Sequence, residues 1–325
     1  MNQDIVVLIE HLRGQVADIC YVMLAAARTL AQGTGGNVVA LLLGHQARGL
    51  AADLAADQVW YADDPALADF TSDAYLQTLA AVLPNRSPRV VLMGDTSIGA
   101  EVAGGLSAQL GWPLVSYCRS VRADDGALKF TCQICGGRVM AEGDLPGPTA
   151  LVTMIPGGFK PEQGRSAQPP PVVEVAVQPP DRQRVVLKKY LEPATGDVDI
   201  AKEPLLISVG RGIQQQDNLA LAEELATALG GVVSASRPVV DQGWVPSTRL
   251  VGKSGKRVKP KVYLALGISG APEHVEAIGD SELIVAVNTD PAAPIFDIAQ
   301  YGATMDVLEL LPALTECVRE AKGKS

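Results

Sequence analysis

Apolar runs bounded by polar breaks recur along the first third of the chain, at residues 5–9, 37–44, 59–62 and 89–94. A run without polar alternation is what a parallel strand buried on both faces requires. The stretches between, 16–32, 47–56, 73–83 and 99–110, are rich in Ala and Leu at helical spacing. Strand then helix, repeated, predicts right-handed crossovers and a doubly wound sheet. Residues 114–155 change character. Short runs of Thr, Val, Tyr and Cys, with Asp125-Gly126 as a turn signal, predict a β-hairpin or small meander appended to this first domain.

Residues 157–185 break the pattern. Pro169-Pro170-Pro171 and Pro179-Pro180 hold the backbone extended, so the segment reads as a spacer with room for a strand at 172–177. From Pro204 the alternation resumes. A strand at 205–209 leads to a helix at 218–229, with Asp217 as its N-cap and Gly230-Gly231 as its stop. Strands follow at 232–235, 261–266 and 283–287, with helices at 272–278 and 307–322. The expectation is an α/β chain of two doubly wound, mostly parallel-sheet domains. The first is 1–190 with the Pro-rich spacer at its end, and the second is 204–325.

Composition narrows the function. The chain has 325 residues, 47% of them hydrophobic, with 27 Lys and Arg against 36 Asp and Glu, a net charge of −9. Such an acidic chain lacks the electrostatic footprint of a nucleic-acid binder. No apolar run reaches the ~18–20 residues of a membrane span, so direct membrane insertion is not expected. Asp4 and Glu10 flank the first apolar run, the wrong charge order for a signal peptide. A cytoplasmic location is expected, with a processed organelle protein as the alternative. Five cysteines are scattered, and only Cys132 and Cys135 are closely spaced. Without a second pair they do not supply a zinc or iron–sulfur site. They read as structural, with a redox thiol pair as the alternative.

Candidate chemistry gathers in the second domain. In VYLALGISGAPEH (262–274) a buried strand ends in a turn bracketed by Gly267 and Gly270, and Pro272 opens a helix. Strand, glycine turn and helix start together offer backbone N–H groups to a phosphate. Glycines that merely permit a tight turn would look the same. Gly210-Arg211-Gly212 follows the first strand of this domain, and Ser236-Arg237 follows the second. Asn288 and Asp290 follow a later strand, and Asp306 precedes the last helix. Ligands of open α/β sheets sit beyond the carboxyl ends of strands, so these polar groups converge on one crevice. Residues 249–261, RLVGKSGKRVKPK, hold six basic residues and no acidic one. Gly252-Lys253-Ser254 resembles the end of a P-loop, but Ser247 stands where its first glycine belongs, so a Walker motif is excluded. The loop is either a solvated basic segment or one that brings Lys253 and Ser254 against an anionic ligand.

VGRGI (209–213), ASRPVVDQGWVP (235–246), VGKSGKRVKPK (251–261), LALGISGAPEH (264–274) and VNTDPAAPIFDIAQYG (287–302) stand in the order and spacing of one family. EHLRGQ near the start and GDTSIGAEVAGGLSAQLG (94–111) agree more loosely. By these motifs the chain resembles the alpha subunit of electron-transferring flavoproteins over its whole length. Some wording is similar to the branch linked to nitrogen fixation and anaerobic acyl-CoA metabolism.

The resemblance implies one FAD, held by the second domain, and a heterodimer whose beta subunit packs on the first. It implies Arg237 against the isoalloxazine, Ser236 holding the cofactor, Ser254 near flavin N5 and His274 toward the pyrimidine carbonyl end. Arg211, Ser269, Gly270 and Ala271 are implied at the pyrophosphate, and Asn288 and Asp306 at the adenosine half. Val251, Gly252, Lys253, Gly267, Ile268 and Glu273 complete the implied cofactor-binding set. Electrons would enter from dehydrogenases of the acyl-CoA type, as in fatty-acid β-oxidation, and leave to a quinone oxidoreductase or another acceptor. The chain departs from the common family pattern at Leu250, Lys253 and Glu273, where Gln is usual, and at Ser254, where Thr is usual. Two alternatives stay open. One is the alpha subunit of an NADH-dependent bifurcating complex. The other is an NAD-dependent deacylase or transferase, which needs a general base; His274 is the only histidine near the crevice, and no activated nucleophile accompanies it.

Overall fold

The computed structural model describes residues 2–124, 126–135, 137–177, 184–190 and 198–323. Asp125 of the expected turn and Pro179-Pro180 of the spacer lie outside the described residues. The chain divides into two compact units, Met1–Tyr190 and Leu191–Ser325. Each is described by itself.

Unit 1 begins with β1 (Ile5–Ile9), a short antiparallel pair β2 (His11–Leu12) and β3 (Gln15–Val16), and helix α1 (Asp18–Thr34). Then come β4 (Val38–Gly44), β5 (Gln58–Asp63), α2 (Ser72–Arg86), β6 (Val90–Gly94) and α3 (Ser97–Leu110). It closes with β7 (Leu114–Asp124), β8 (Ala127–Ile134), β9 (Val139–Asp144), β10 (Ala150–Met154) and β11 (Val172–Glu174). All these strands except β2 and β3 form one nine-stranded sheet in the order β11-β5-β4-β1-β6-β10-β7-β8-β9. The unbroken apolar runs are its centre: β1, β4, β6 and β10 are buried at every position. Odd residues of β1 pack with α1, while Val6 and Leu8 face α2 and α3, so helices cover both faces.

One expectation needs correction here. Residues 47–56 are not a helix: only Arg48–Ala51 form a 3-10 turn, because Leu54 bridges to Arg165 and Ala55 N–H donates to Gly164 O at 3.0 Å. Tertiary backbone pairing thus overrides an Ala-rich propensity. The 114–155 segment carries the expected antiparallel meander, at the edge of the sheet. Its antiparallel strands β7, β8 and β9 continue the main sheet, and β10 inserts in parallel between β6 and β7. Within it Cys132 is buried in the core, directly opposite Cys118 on β7, whereas Cys135 is exposed in a turn.

Unit 2 carries β12 (Leu205–Val209), α4 (Leu219–Leu229), β13 (Val232–Ala235), α5 (Arg237–Asp241) and β14 (Val262–Leu266). It continues with α6 (Pro272–Ile278), β15 (Leu283–Asn288), β16 (Tyr301–Thr304) and α7 (Val307–Gly323). The five strands are all parallel, in the order β13-β12-β14-β15-β16. α4 and α7 cover one face and α6 the other. α4 starts one residue later than its pattern predicts. Asp217 lies in a 3-10 turn rather than at the cap, and Asn218 takes that place, its side chain donating to Ile213 O at 2.9 Å. β16 has no apolar run, since most of it is exposed. Among the described residues no helix is long and apolar enough to cross a membrane.

One buried acid stands at the switch point of unit 1. Glu10 follows β1 and is 4% exposed. Thr96 donates to its Oε2 at 2.7 Å and also caps α3 by accepting from Gly99 N–H. Its Oε1 is buried and, among the described residues, has no partner at full hydrogen-bond geometry. Burial pushes the carboxyl up to about 7 from an ordinary 4.5, against the lowering effect of the Thr96 bond. Between those values the unfolded chain binds fewer protons than the folded one, so stability falls as pH rises through the window. That span corresponds to roughly 3 kcal/mol at ~1.36 kcal/mol per pH unit. Glu10→Gln keeps the shape and removes the charge. It should raise Tm at pH 8, change it little at pH 5, and so flatten the pH profile of thermal unfolding. Parallel profiles for the two proteins would show that Glu10 is not the source of the slope.

Candidate functional site

The carboxyl ends of β12, β13, β14 and β15 open onto a crevice of about 1120 Å³ in unit 2. The sheet order reverses between β12 and β14, which is where such folds bind ligands. The volume lies just above the range of ordinary small-molecule sites, ~300–1,000 Å³, as a large cofactor requires. Arg211, Ser236, Arg237, Val251, Gly252, Lys253, Ser254 and Gly267 all line it. So do Ile268, Ser269, Gly270, Ala271, Glu273, His274, Asn288 and Asp306. The structure therefore brings every residue of the implied cofactor-binding set around one cavity.

Its floor is backbone. Gly210 N–H donates to Leu266 O at 2.8 Å and Gly212 N–H to Gly267 O at 3.1 Å, so the two loops touch main chain to main chain. Gly267 has φ 64°, and a Cβ there would stand 2.6 Å from Gly212 Cα. Only glycine meets both demands. This contact fixes where Arg211 leaves the chain. Gly270 has φ 84°, and a Cβ there would lie 2.3 Å from Ile295 N, whose N–H donates to Ser269 O at 3.0 Å. Asn288 braces the same loop, donating from Nδ2 to Ile268 O at 2.9 Å and accepting from Asp290 N–H at 3.0 Å. Among the described residues the amides of Ser269, Gly270 and Ala271 donate to no other part of the chain. They form a set of N–H donors for an anion, with Arg211 lining the same cavity.

The basic loop divides. Arg249 donates to Val233 O, Lys256 pairs with Asp199 at 2.7 Å, and Arg257 pairs with the buried Glu276. Lys253 lines the crevice, its backbone N–H donating to Glu273 O at 2.9 Å. Arg237 opens α5 and bonds Ser254 Oγ through Nη1 at 3.2 Å and Asp241 through Nε at 3.3 Å. Its pairing with Asp241 and its place at the crevice thus coexist. His274 is buried, with Nε2 2.8 Å from Tyr263 Oη and Nδ1 3.1 Å from Val251 O. Burial pulls its pKa down to about 4, so the ring is neutral at pH 7. With both nitrogens engaged, it is not a free general base, which removes the base that a deacylase or transferase would need. Asp306 accepts from Leu308 N–H at 2.8 Å at the start of α7 and from Gln214 at 3.4 Å.

Sequence reasoning missed Gln214 and Thr289, which line the cavity together with Asp241. Asp241 carried a signal, since it stands four residues after Arg237 on one helix. Gln214 carried none, because its left-handed φ of 68° shows only in the structure.

Free backbone amides, lining cations and a switch-point cavity define a protein of the open parallel-sheet class that binds a nucleotide cofactor. The family described as "Electron transfer flavoprotein domain" matches residues 5–180, and "Electron transfer flavoprotein FAD-binding domain" matches residues 199–279. The chain is 35% identical to "Acryloyl-CoA reductase electron transfer subunit beta" of Anaerotignum propionicum, over 99% of this chain and 97% of that one. It is 34% identical to "Electron transfer flavoprotein subunit alpha" of Thermoanaerobacterium thermosaccharolyticum, over 98% and 99%. It is also 34% identical to "Protein FixB" of Clostridium saccharobutylicum, over 97% and 96%. The chain belongs to the electron transfer flavoprotein family, as an alpha subunit, and its cofactor is FAD.

The loop geometry makes a sharp prediction. Gly270→Ala puts a methyl against backbone and strains a left-handed residue. Gly279→Ala, where the nearest atom would be 3.5 Å away, is the control. The flavin-to-protein absorbance ratio after purification should fall at least several-fold for the first and stay level for the second. Equal flavin content in both would dissociate this loop from the cofactor.

Proposed function

We propose that FAD lies in the unit 2 crevice with its pyrophosphate on the amides of 269–271 and Arg211. The flavin ring lies against Arg237 and Ser254, and the adenosine half lies toward Asn288 and Asp306. The convergence of unspent backbone amides with cations at the sheet's switch point carries this reading. The donors fit the group: a pyrophosphate dianion needs N–H groups and a guanidinium, and a ring that gains charge on reduction needs a fixed cation nearby. Ser236 and the 251–254 loop then shape the wall beside the ring.

FAD supplies reversible electron acceptance and release, and the chain supplies binding, orientation and electrostatics. Arg237 places a positive charge where negative charge grows on reduction, which favours the reduced state. Asp241 offsets part of that charge through its 3.3 Å contact. The chain itself is an electron carrier, with the beta subunit as its partner on residues 1–190. Dehydrogenases of the acyl-CoA type are its donors, and a quinone oxidoreductase or a related acceptor takes the electrons. The acryloyl-CoA reductase name of one relative supports a donor or acceptor of acyl-CoA chemistry. It equally favours a second reading, in which this subunit serves inside a larger reductase complex; co-purification of a dehydrogenase with the heterodimer would favour that second reading.

Arg237→Ala tests the placement of the ring. The side chain is 64% exposed, so water screens it, and the expected fall in reduction potential is on the order of 50 mV, somewhat under the ~59 mV of a tenfold one-electron change. Asp241→Asn should move the potential the other way. Spectroelectrochemistry of the heterodimer reads both. Unchanged potentials with full flavin content would place the ring elsewhere.

A further inference from the structure

Tyr263 lies on β14, the central strand of the unit 2 sheet, and is 0% exposed. Its hydroxyl stands 2.8 Å from His274 Nε2, and His274 Nδ1 stands 3.1 Å from Val251 O. A carbonyl oxygen only accepts, so the proton of the neutral imidazole is on Nδ1. Nε2 is then an acceptor, and the phenol is the donor that satisfies it. The opposite tautomer would set an imidazole lone pair against the Val251 carbonyl and leave two buried acceptors facing each other.

The receiving end of this chain of bonds is the crevice wall. Val251 N–H donates to Ala235 O at 2.9 Å, so His274 secures the carbonyl of a residue whose amide is already tied to the end of β13. Two residues on, Lys253 N–H donates to Glu273 O at 2.9 Å. The first turn of α6 therefore holds the loop on both sides of Gly252, whose φ of 150° is one that glycine adopts freely. Ser254, next along, accepts from Arg237.

We infer that Tyr263 is a positioning residue for the cofactor site: it fixes His274 as the Nδ1–H tautomer, and through the bond to Val251 it sets the backbone of the loop that presents Lys253 and Ser254. His274 then has no ring N–H left to give to a carbonyl of the cofactor. It acts on the site through the loop. This inference rests on the reading of the crevice as the FAD site.

The test uses the heterodimer with FAD. In His274→Asn the side-chain amide replaces the Nδ1 donor. In His274→Gln it reaches the Nε2 position. The Asn variant should bind FAD at least about fivefold more tightly than the Gln variant, the worth of roughly one hydrogen bond. Tyr263→Phe should weaken FAD binding by a similar factor. In the wild-type protein, ¹⁵N NMR of labelled histidine, with His274→Asn identifying the signal, should show Nδ1 protonated and Nε2 not. The inference is overturned if the Gln variant binds FAD better than the Asn variant, or if the NMR shows an Nε2–H ring. The NMR arm decides even where a variant fails to fold. Failure of the crevice reading has a different signature: Gly270→Ala would then keep its flavin while the His274 tautomer stayed as described.

Discussion

The contact between the Gly210–Gly212 loop and Gly267 is the constraint on which the cofactor domain depends. At the switch point two parallel strands, β12 and β14, end side by side while their chains must leave toward opposite faces. A Cβ at Gly210 would lie 2.3 Å from Gly267 O, and one at Gly267 would lie 2.6 Å from Gly212 Cα. Removing both side chains lets the loops share hydrogen bonds instead of diverging. That crossing determines the rest of the site. Arg211 projects from one loop, and the other turns at Gly270 so that its amides have no partners among the described residues. A set of open backbone amides is thus a by-product of making a tight crossing in a parallel sheet.

Electrostatics is local in this chain. The molecule is acidic overall, and its crevice carries both signs: Arg211, Arg237 and Lys253 line it beside Asp241, Glu273, Asp290 and Asp306. The basic loop shows how the balance is kept: Lys256 and Arg257 are tied by Asp199 and Glu276, and Arg249 by a carbonyl. Arg237 keeps one carboxylate and one hydroxyl, which orients it without neutralising it fully. A guanidinium suits that task because its planar fork bonds in two directions at once.

Much of this was legible in the sequence, for physical reasons that can be named. Buried parallel strands cannot alternate, so 5–9, 205–209 and 283–287 announced themselves within a residue of β1, β12 and β15. Pro272 fixed the start of α6, and Gly230 adopts the left-handed cap expected after α4. What was hidden depended on partners distant along the chain. Residues 47–56 have a helical composition, but their backbone pairs with 164–165. β16 is a strand only because β15 offers it an edge. β10 looked like part of a meander because the alternation rule says nothing of where a strand inserts. In the site, glycines and cations marked the loops, while the Tyr263–His274–Val251 chain was invisible, since neither tyrosine nor histidine carries a spacing signal across three separate elements.

The two units solve the same geometrical problem in opposite ways. In each, strands diverge at a switch point and a helix follows one of them. In unit 1 the place between β1 and β6 is taken by the chain's own Glu10 carboxyl, bonded to the Thr96 that caps α3. Its neighbours leave no room, since a Cβ at Gly99 would lie 2.7 Å from Oε1. An internal acid, whose burial favours the protonated form, therefore fills the position where a ligand would otherwise bind. In unit 2, among the described residues, the amides of 269–271 donate to no other part of the chain, and these residues line the crevice. A filled switch point commits its unit to packing and an open one commits its unit to a ligand, so the division of labour within this chain follows from which side chain follows the first strand: Glu10 after β1, and Gly210 after β12.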